Sequence, residues 1–81
     1  MTFVYILECA DGSFYIGWTT DLERRVAAHN AGRGGRYTRS RRPVRLVYWE
    51  EHLDRRCAQR REASLKRWPR TRKAALIAAK V

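Results

Sequence analysis

The sequence specifies an α+β domain: a small three-stranded antiparallel sheet flanked by helices, in the order β-β-α-β-α-α. Three observations lead there. First, Asp11-Gly12 lies between two runs of β-branched and aromatic residues, Val4-Tyr5-Ile6 and Phe14-Tyr15-Ile16-Gly17, which is the strongest short-range hairpin signal. Second, Val44-Arg45-Leu46-Val47-Tyr48-Trp49-Glu50 is a third such run, opened by Pro43 at the one strand position that tolerates proline. Third, apolar residues elsewhere recur at helical spacing, between glycine and proline stops.

The hairpin comprises strands over residues 3–9 and 13–18. Its register decides which side chains share a face. A two-residue loop at Asp11-Gly12 pairs Glu8 with Tyr15 and separates Tyr5 from Tyr15. A three-residue loop, Ala10 to Gly12 with Gly12 left-handed, pairs Leu7 with Tyr15 and Tyr5 with Gly17. The second register is preferred: Gly12 suits the left-handed position, and Gly17 opposite Tyr5 leaves the phenol open. Tyr5, Tyr15 and Gly17 then lie on one face.

Thr19-Thr20-Asp21 is a helix start, with Thr20 or Asp21 able to cap the open N–H groups. The helix runs to about Ala31 and stops at Gly32. Its apolar stripe is Leu22, Val26 and His29. At 100° per residue Arg25 lies at the edge of that stripe, beside His29, while Arg24 points to solvent. His29 is either a helix-end histidine that closes the core or part of a site. The stretch from Gly32 to Pro43 reads as a long loop rich in glycine and arginine. Either it is a solvated linker, or Arg36, Arg39, Arg41 and Arg42 contact phosphates beside Tyr37 as a base-stacking ring. It is no P-loop, because no Gly-Lys-Ser/Thr follows a strand into a helix.

After the third strand, residues 54–67 form a helix with Leu53, Cys57, Ala58, Leu65 and Trp68 on its inner side. Trp68-Pro69 breaks it, and a last helix from Thr71 to about Lys80 packs through Leu76 and Ile77. From residue 55 onward Glu62 is the only carboxylate. It is either a surface partner of Lys66 at i, i+4 or a lone ligand for one divalent ion that keeps several waters, as Mg²⁺ prefers.

The whole, residues 1–81, is one domain with a thin core. Its formal net charge is +10, and only Lys66, Lys73 and Lys80 among its 18 basic residues are lysines. That charge calls for a polyanionic partner, and arginine, which forks onto phosphate and stacks on bases, favours nucleic acid over a membrane surface. No basic leader opens the chain, and no apolar run approaches the roughly 20 residues of a membrane helix, so a cytoplasmic protein is expected. Cys9 and Cys57 lack CxxC partners and read as small buried hydrophobes in a reducing compartment.

Taken in order, Val4-Tyr5, then Tyr15-Ile16-Gly17, then Arg25 on the next helix and Glu62 on a later one resemble the GIY-YIG nuclease superfamily, over essentially the whole chain. The pattern is closest to that of the small stand-alone members, and is carried by the run from Tyr15 to Arg25, by His29-Asn30-Ala31-Gly32 and by Glu62-Ala63-Ser64-Leu65-Lys66-Arg67-Trp68. Phe3 replaces the first glycine of the family name, at a structural position. No match is evident for the asparagine that some members place after the glutamate. The RING-type zinc domain of the eukaryotic branched-DNA nucleases is absent from this sequence, as are the DNA-binding domains of the homing and repair members.

The resemblance implies a metal-dependent DNA endonuclease of repair or recombination. It implies Tyr5 and Tyr15 as the motif tyrosines, Arg25 as the catalytic arginine, Glu62 as the ligand of Mg²⁺ or Mn²⁺, and His29 at a position that is histidine or tyrosine among members. Phosphodiester hydrolysis needs an activated water, a clamp for the charge at phosphorus and help for the leaving 3′ oxygen. Tyr15 or Tyr5, directly or relayed through His29, is expected to take the water's proton; the sequence does not rank the two. The expected nucleic-acid contacts are Arg36, Tyr37, Arg39, Arg41, Arg42 and Lys66. Branched, flapped and single-stranded DNA are all open as substrates, and a protein partner or second copy could supply targeting. The competing readings are a nucleic-acid-binding module with little activity, and a basic adaptor for protein or membrane.

Overall fold

A computed structural model of the chain describes residues 1–80. The elements are β1 (Thr2–Glu8), β2 (Phe14–Thr19), α1 (Leu22–Asn30), α2 (Arg36–Arg39), β3 (Arg45–His52), α3 (Arg55–Lys66) and α4 (Arg70–Lys80). The expected order is present with one addition, the short α2. The three strands form one antiparallel sheet in the order β2-β1-β3, so β1 is central.

The hairpin takes the three-residue loop. Leu7 lies opposite Tyr15 and Tyr5 opposite Gly17. Cys9 N–H donates to the Ser13 carbonyl at 2.8 Å, Gly12 N–H to the Cys9 carbonyl at 2.9 Å, and Gly12 sits at φ +83°, where a side chain would be strained. Asp11 secures the turn by accepting from both Ser13 N–H and Ser13 Oγ.

A central strand covered on both sides should be apolar throughout, and Val4-Tyr5-Ile6-Leu7 is fully buried. Val4 and Ile6 point to one side, where they meet Ile16, Tyr48 and the α3 residues Ala58 and Leu65, with Trp68, Leu76 and Ile77 at the margin. Tyr5 and Leu7 point to the other, among Cys9, Val44, Leu46 and the α1 residues Leu22 and Val26. Helices α3 and α4 thus cover one face and α1 the other.

Asp21 caps α1 by accepting from Arg24 N–H, and Asp54 caps α3 by accepting from Cys57 N–H. That second cap corrects the sequence reading. Leu53 precedes the cap and stands exposed, and Cys57, in the first turn, faces outward, so the inner side of α3 is carried by Ala58 and Leu65. Cys9 is buried, as expected. The stretch between Gly32 and Pro43 is also more ordered than a loop. Gly35, at φ +141°, turns the chain into α2, and Thr38 of that turn is fully buried. No helix among the described residues is long and apolar enough to cross a membrane.

Candidate active site

At the β2 edge of the sheet, where α1 from one face and α3 from the other reach past the strands, lies an open cavity of about 390 Å³. Tyr5, Tyr15, Arg25 and Glu62 all line it, together with Trp18 and Arg55. Four separate segments therefore converge on one hollow. The hairpin register places the two phenols, the face angle of α1 places Arg25, and α3 places Glu62. Arg24 is not among the lining residues and borders a neighbouring hollow on the outer side of α1.

Tyr5 does not stand open above Gly17, as the sequence suggests. Its ring fills the space that a side chain at residue 17 would take: a Cβ there would lie 2.5 Å from Tyr5 Oη. The residue is only 2% exposed, with its hydroxyl turned between the cavity and His29. Tyr5 Oη and His29 Nε2 are 3.0 Å apart, and His29 Nδ1 lies 2.7 Å from Thr38 Oγ1. Burial pushes the Tyr5 phenol well above its ordinary range, and Tyr15 and Glu62 push the same way against the lowering effect of Arg25. Burial and the nearby Arg25 charge lower the His29 pKa, so the ring is neutral at pH 7. His29 is fully buried behind Tyr5.

Tyr15 is half-buried. Its ring meets the edge of His29 at 5.1 Å and stacks on Tyr37 at 6.0 Å. Glu62 keeps 20% of its side chain exposed, with Lys66 Nζ at 3.7 Å, a loose pair that leaves the carboxylate facing the cavity.

The arginines of the 32–43 stretch divide. Arg36 and Arg39 are exposed. Arg41 donates to Asp11 at 3.2 Å and to the Tyr37 carbonyl at 2.9 Å, with its guanidinium 3.9 Å above the Tyr37 ring. Arg42 donates to the carbonyls of Arg39 and Asn30. These last two hold α2 onto the hairpin and the end of α1. Tyr37 and Lys66 border a second hollow, which shares Tyr15 with the cavity and includes Lys73.

Sequence reasoning missed Arg55 and Thr38. Arg55 lines the cavity with its guanidinium 5.7 Å from the Trp18 ring. It precedes Glu62 by seven residues, and two helical turns return to the same face, so the signal was present. Thr38 gave no signal, because nothing in a glycine-rich stretch marks a threonine that folds back nine residues.

Comparison with known proteins identifies the family of the chain. A family model described as the GIY-YIG catalytic domain matches residues 1–75. A UPF0213 protein of Clostridium perfringens is 51% identical over 80 residues, covering 99% of this chain and 86% of the relative. One from Halobacterium salinarum is 50% identical over 77 residues, covering 95% of this chain and all of the relative. The NMR structure of a UPF0213 protein from Bacillus halodurans superimposes with a TM-score of 0.63 at 44% identity, over 99% of this chain and 86% of that one. The chain belongs to the GIY-YIG catalytic-domain family.

Proposed function

We propose that this protein is a metal-dependent DNA endonuclease that hydrolyses phosphodiester bonds, working in repair or recombination. One observation carries the reading: Tyr5, Tyr15, Arg25 and Glu62 line a single cavity, and Tyr5 is backed by a buried neutral histidine. A net charge of +10 supports a polyanionic substrate.

The donor set suits a hard, hydrated cation. No three carboxylate, imidazole or thiol groups gather among the described residues, which argues against a closed protein cage, whereas one partly exposed carboxylate over an open cavity fits an ion that retains most of its waters. Glu62 would hold Mg²⁺ or Mn²⁺, which when bound supplies Lewis acidity at a phosphate oxygen. Arg25, from the helix on the other face of the sheet, neutralises charge that grows at phosphorus, and Arg55 offers a second guanidinium to a neighbouring phosphate.

The hydrogen bond favours Tyr5 over Tyr15 as the group that receives the water's proton. A phenol with a raised pKa does not ionise beforehand, so its own proton has to leave as the new one arrives, and His29 Nε2 is within reach. Tyr15 packs against both rings and holds that arrangement from the cavity side. For the rest of the substrate, Tyr37 and Lys66 offer contacts at the second hollow, with bases meeting the Tyr37 edge, and Arg36, Arg39 and the free edges of Arg41 and Arg42 offer phosphate contacts elsewhere on the same stretch.

The test is incubation with branched, flapped and single-stranded DNA in Mg²⁺ or Mn²⁺, comparing the unaltered protein with Glu62→Ala and Arg25→Ala. Cleavage that both variants lose supports the nuclease. Binding with a steep salt dependence and no metal-dependent cutting moves the assignment to a nucleic-acid-binding module.

A further inference from the structure

We propose that Thr38 fixes the tautomer of His29 and thereby sets the direction in which the Tyr5 proton can move. Thr38 is then a positioning residue of the nuclease site; its catalytic meaning rests on that proposed function, while the tautomer itself does not.

Thr38 and His29 are both fully buried, and a Cβ on Gly34 would collide with the imidazole at Nδ1, so the backbone of residue 34 closes over the ring. Neither ring nitrogen is open to solvent. Each has one partner: Tyr5 Oη at 3.0 Å for Nε2 and Thr38 Oγ1 at 2.7 Å for Nδ1. A neutral imidazole carries one N–H, so one nitrogen donates and the other accepts.

The hydroxyl of Thr38 decides between the two. Thr38 Oγ1 lies 3.5 Å from the Gly35 carbonyl, which can only accept and also takes the Arg39 N–H at 3.1 Å. Threonine has a single hydroxyl proton. When it goes to Gly35, Thr38 Oγ1 must accept from His29, so the proton sits on Nδ1. Nε2 is then bare and accepts the phenol proton of Tyr5, and the lone pairs of Tyr5 Oη are left for the cavity. In that direction each donor has an acceptor: Tyr5 to His29, His29 to Thr38, and Thr38 to the second lone pair of the Gly35 carbonyl oxygen.

The reverse chain has a different outcome. With the proton on Nε2, His29 donates to Tyr5 Oη and the phenol proton points into the cavity. Tyr5 then has nowhere to send its own proton and cannot take one from water. In the forward chain the step balances. Water transfers a proton to Tyr5 Oη as the phenol proton passes to His29 Nε2, while the water oxygen bonds to phosphorus and the bond to the leaving oxygen breaks; that oxygen takes a proton from solvent in the open cavity, and His29 afterwards returns its extra proton to solvent through Tyr5. The imidazolium keeps Nδ1–H on Thr38 throughout.

The tautomer is read on the free protein from ¹⁵N-labelled imidazole shifts at neutral pH, with His52→Gln separating the two histidines. Thr38→Val keeps the shape and removes the hydroxyl; Thr38→Ser keeps the hydroxyl. The expected result is Nδ1–H in the unaltered protein and in Thr38→Ser, and a shift of population to Nε2–H in Thr38→Val. An Nε2–H signal in the unaltered protein overturns the proposal without any variant, and so does an unchanged signal in a folded Thr38→Val. DNA cleavage is the second readout: about a 10- to 100-fold loss in Thr38→Val and near-normal rates in Thr38→Ser, as for other groups that orient a reacting histidine. Absence of cleavage in the unaltered protein would defeat the nuclease assignment and leave the tautomer result standing.

Discussion

Replacing Gly17 with alanine tests the geometry on which the site depends. The added Cβ would lie 2.5 Å from Tyr5 Oη, 2.6 Å from Cζ and 3.1 Å from Cε2. Gly17 is held mid-strand by pairing with Tyr5 itself, so the backbone has little freedom to retreat. Tyr5 is buried and its hydroxyl is tied to His29, so the ring has to lift and break that bond. Overpacking of this kind costs about 1–3 kcal/mol and the lost hydrogen bond about 1 kcal/mol, offset by about 0.4–1 kcal/mol from a stiffer unfolded chain. The net loss of about 1–3 kcal/mol is a sizeable share of the roughly 4–12 kcal/mol expected for a domain this size. Thermal unfolding followed by circular dichroism should show Tm falling by about 5–20 °C. Tyr5→Phe in the same background removes the Oη clash and leaves the Cζ one, so it should recover only part of the loss. Gly12→Ala is the control: nothing lies within 4 Å of its Cβ, and the cost of φ +83° alone is about 1 kcal/mol. A Gly17→Ala protein melting within about 2 °C of the unaltered one would refute the placement of the Tyr5 ring.

Other substitutions address charge and pH. Glu62→Gln and Arg25→Ala, at positions outside both core clusters, should each lower metal-dependent cleavage by about 10²- to 10³-fold while Tm changes little. Arg55→Ala should weaken DNA binding and reduce the slope of log K against log salt by about one, read by fluorescence anisotropy across a salt series. Because burial holds His29 neutral, its folded pKa lies below the ordinary 6.5. The unfolded chain then binds the extra proton first, so this stability is complete above about pH 6.5 and is lost as pH falls through the folded pKa. Urea unfolding between about pH 7.5 and 5.5 should show that decline, and His29→Gln should flatten it at a lower overall stability. Asp11→Asn removes an exposed partner of Arg41, and its effect on stability should stay below about 1 kcal/mol.

The parts of the fold set by local chemistry were legible in the sequence. Asp11-Gly12 and the placement of Gly17 specified the hairpin register, and from it followed the shared face of Tyr5 and Tyr15. The angular argument that separated Arg25 from Arg24 needed only the helical period. Tertiary closure was harder to read. Tyr5 looked open because an absent side chain at Gly17 suggests space, whereas the ring itself occupies that space. Leu53 and Cys57 were placed inward by the apolar pattern, but the Asp54 cap starts the helix one residue after Leu53 and turns Cys57 out. The 32–43 stretch carried composition without periodicity, so neither the α2 turn nor the bond from Thr38 to His29 could be seen. Its arginines read either as a solvated linker or as phosphate contacts; Arg41 and Arg42 brace α2 against the hairpin and α1.

Whether four segments present one hollow to a metal-bound phosphate is read most directly from Mn²⁺ relaxation of backbone amide signals in the presence of an uncleavable phosphorothioate oligonucleotide. Substoichiometric Mn²⁺ should broaden the amides of Tyr5, Gly17, Arg25 and Glu62 while Leu53 and Ile77 stay sharp, and Glu62→Ala should abolish the effect. Broadening centred away from the β2 edge, or surviving in Glu62→Ala, would contradict a shared hollow.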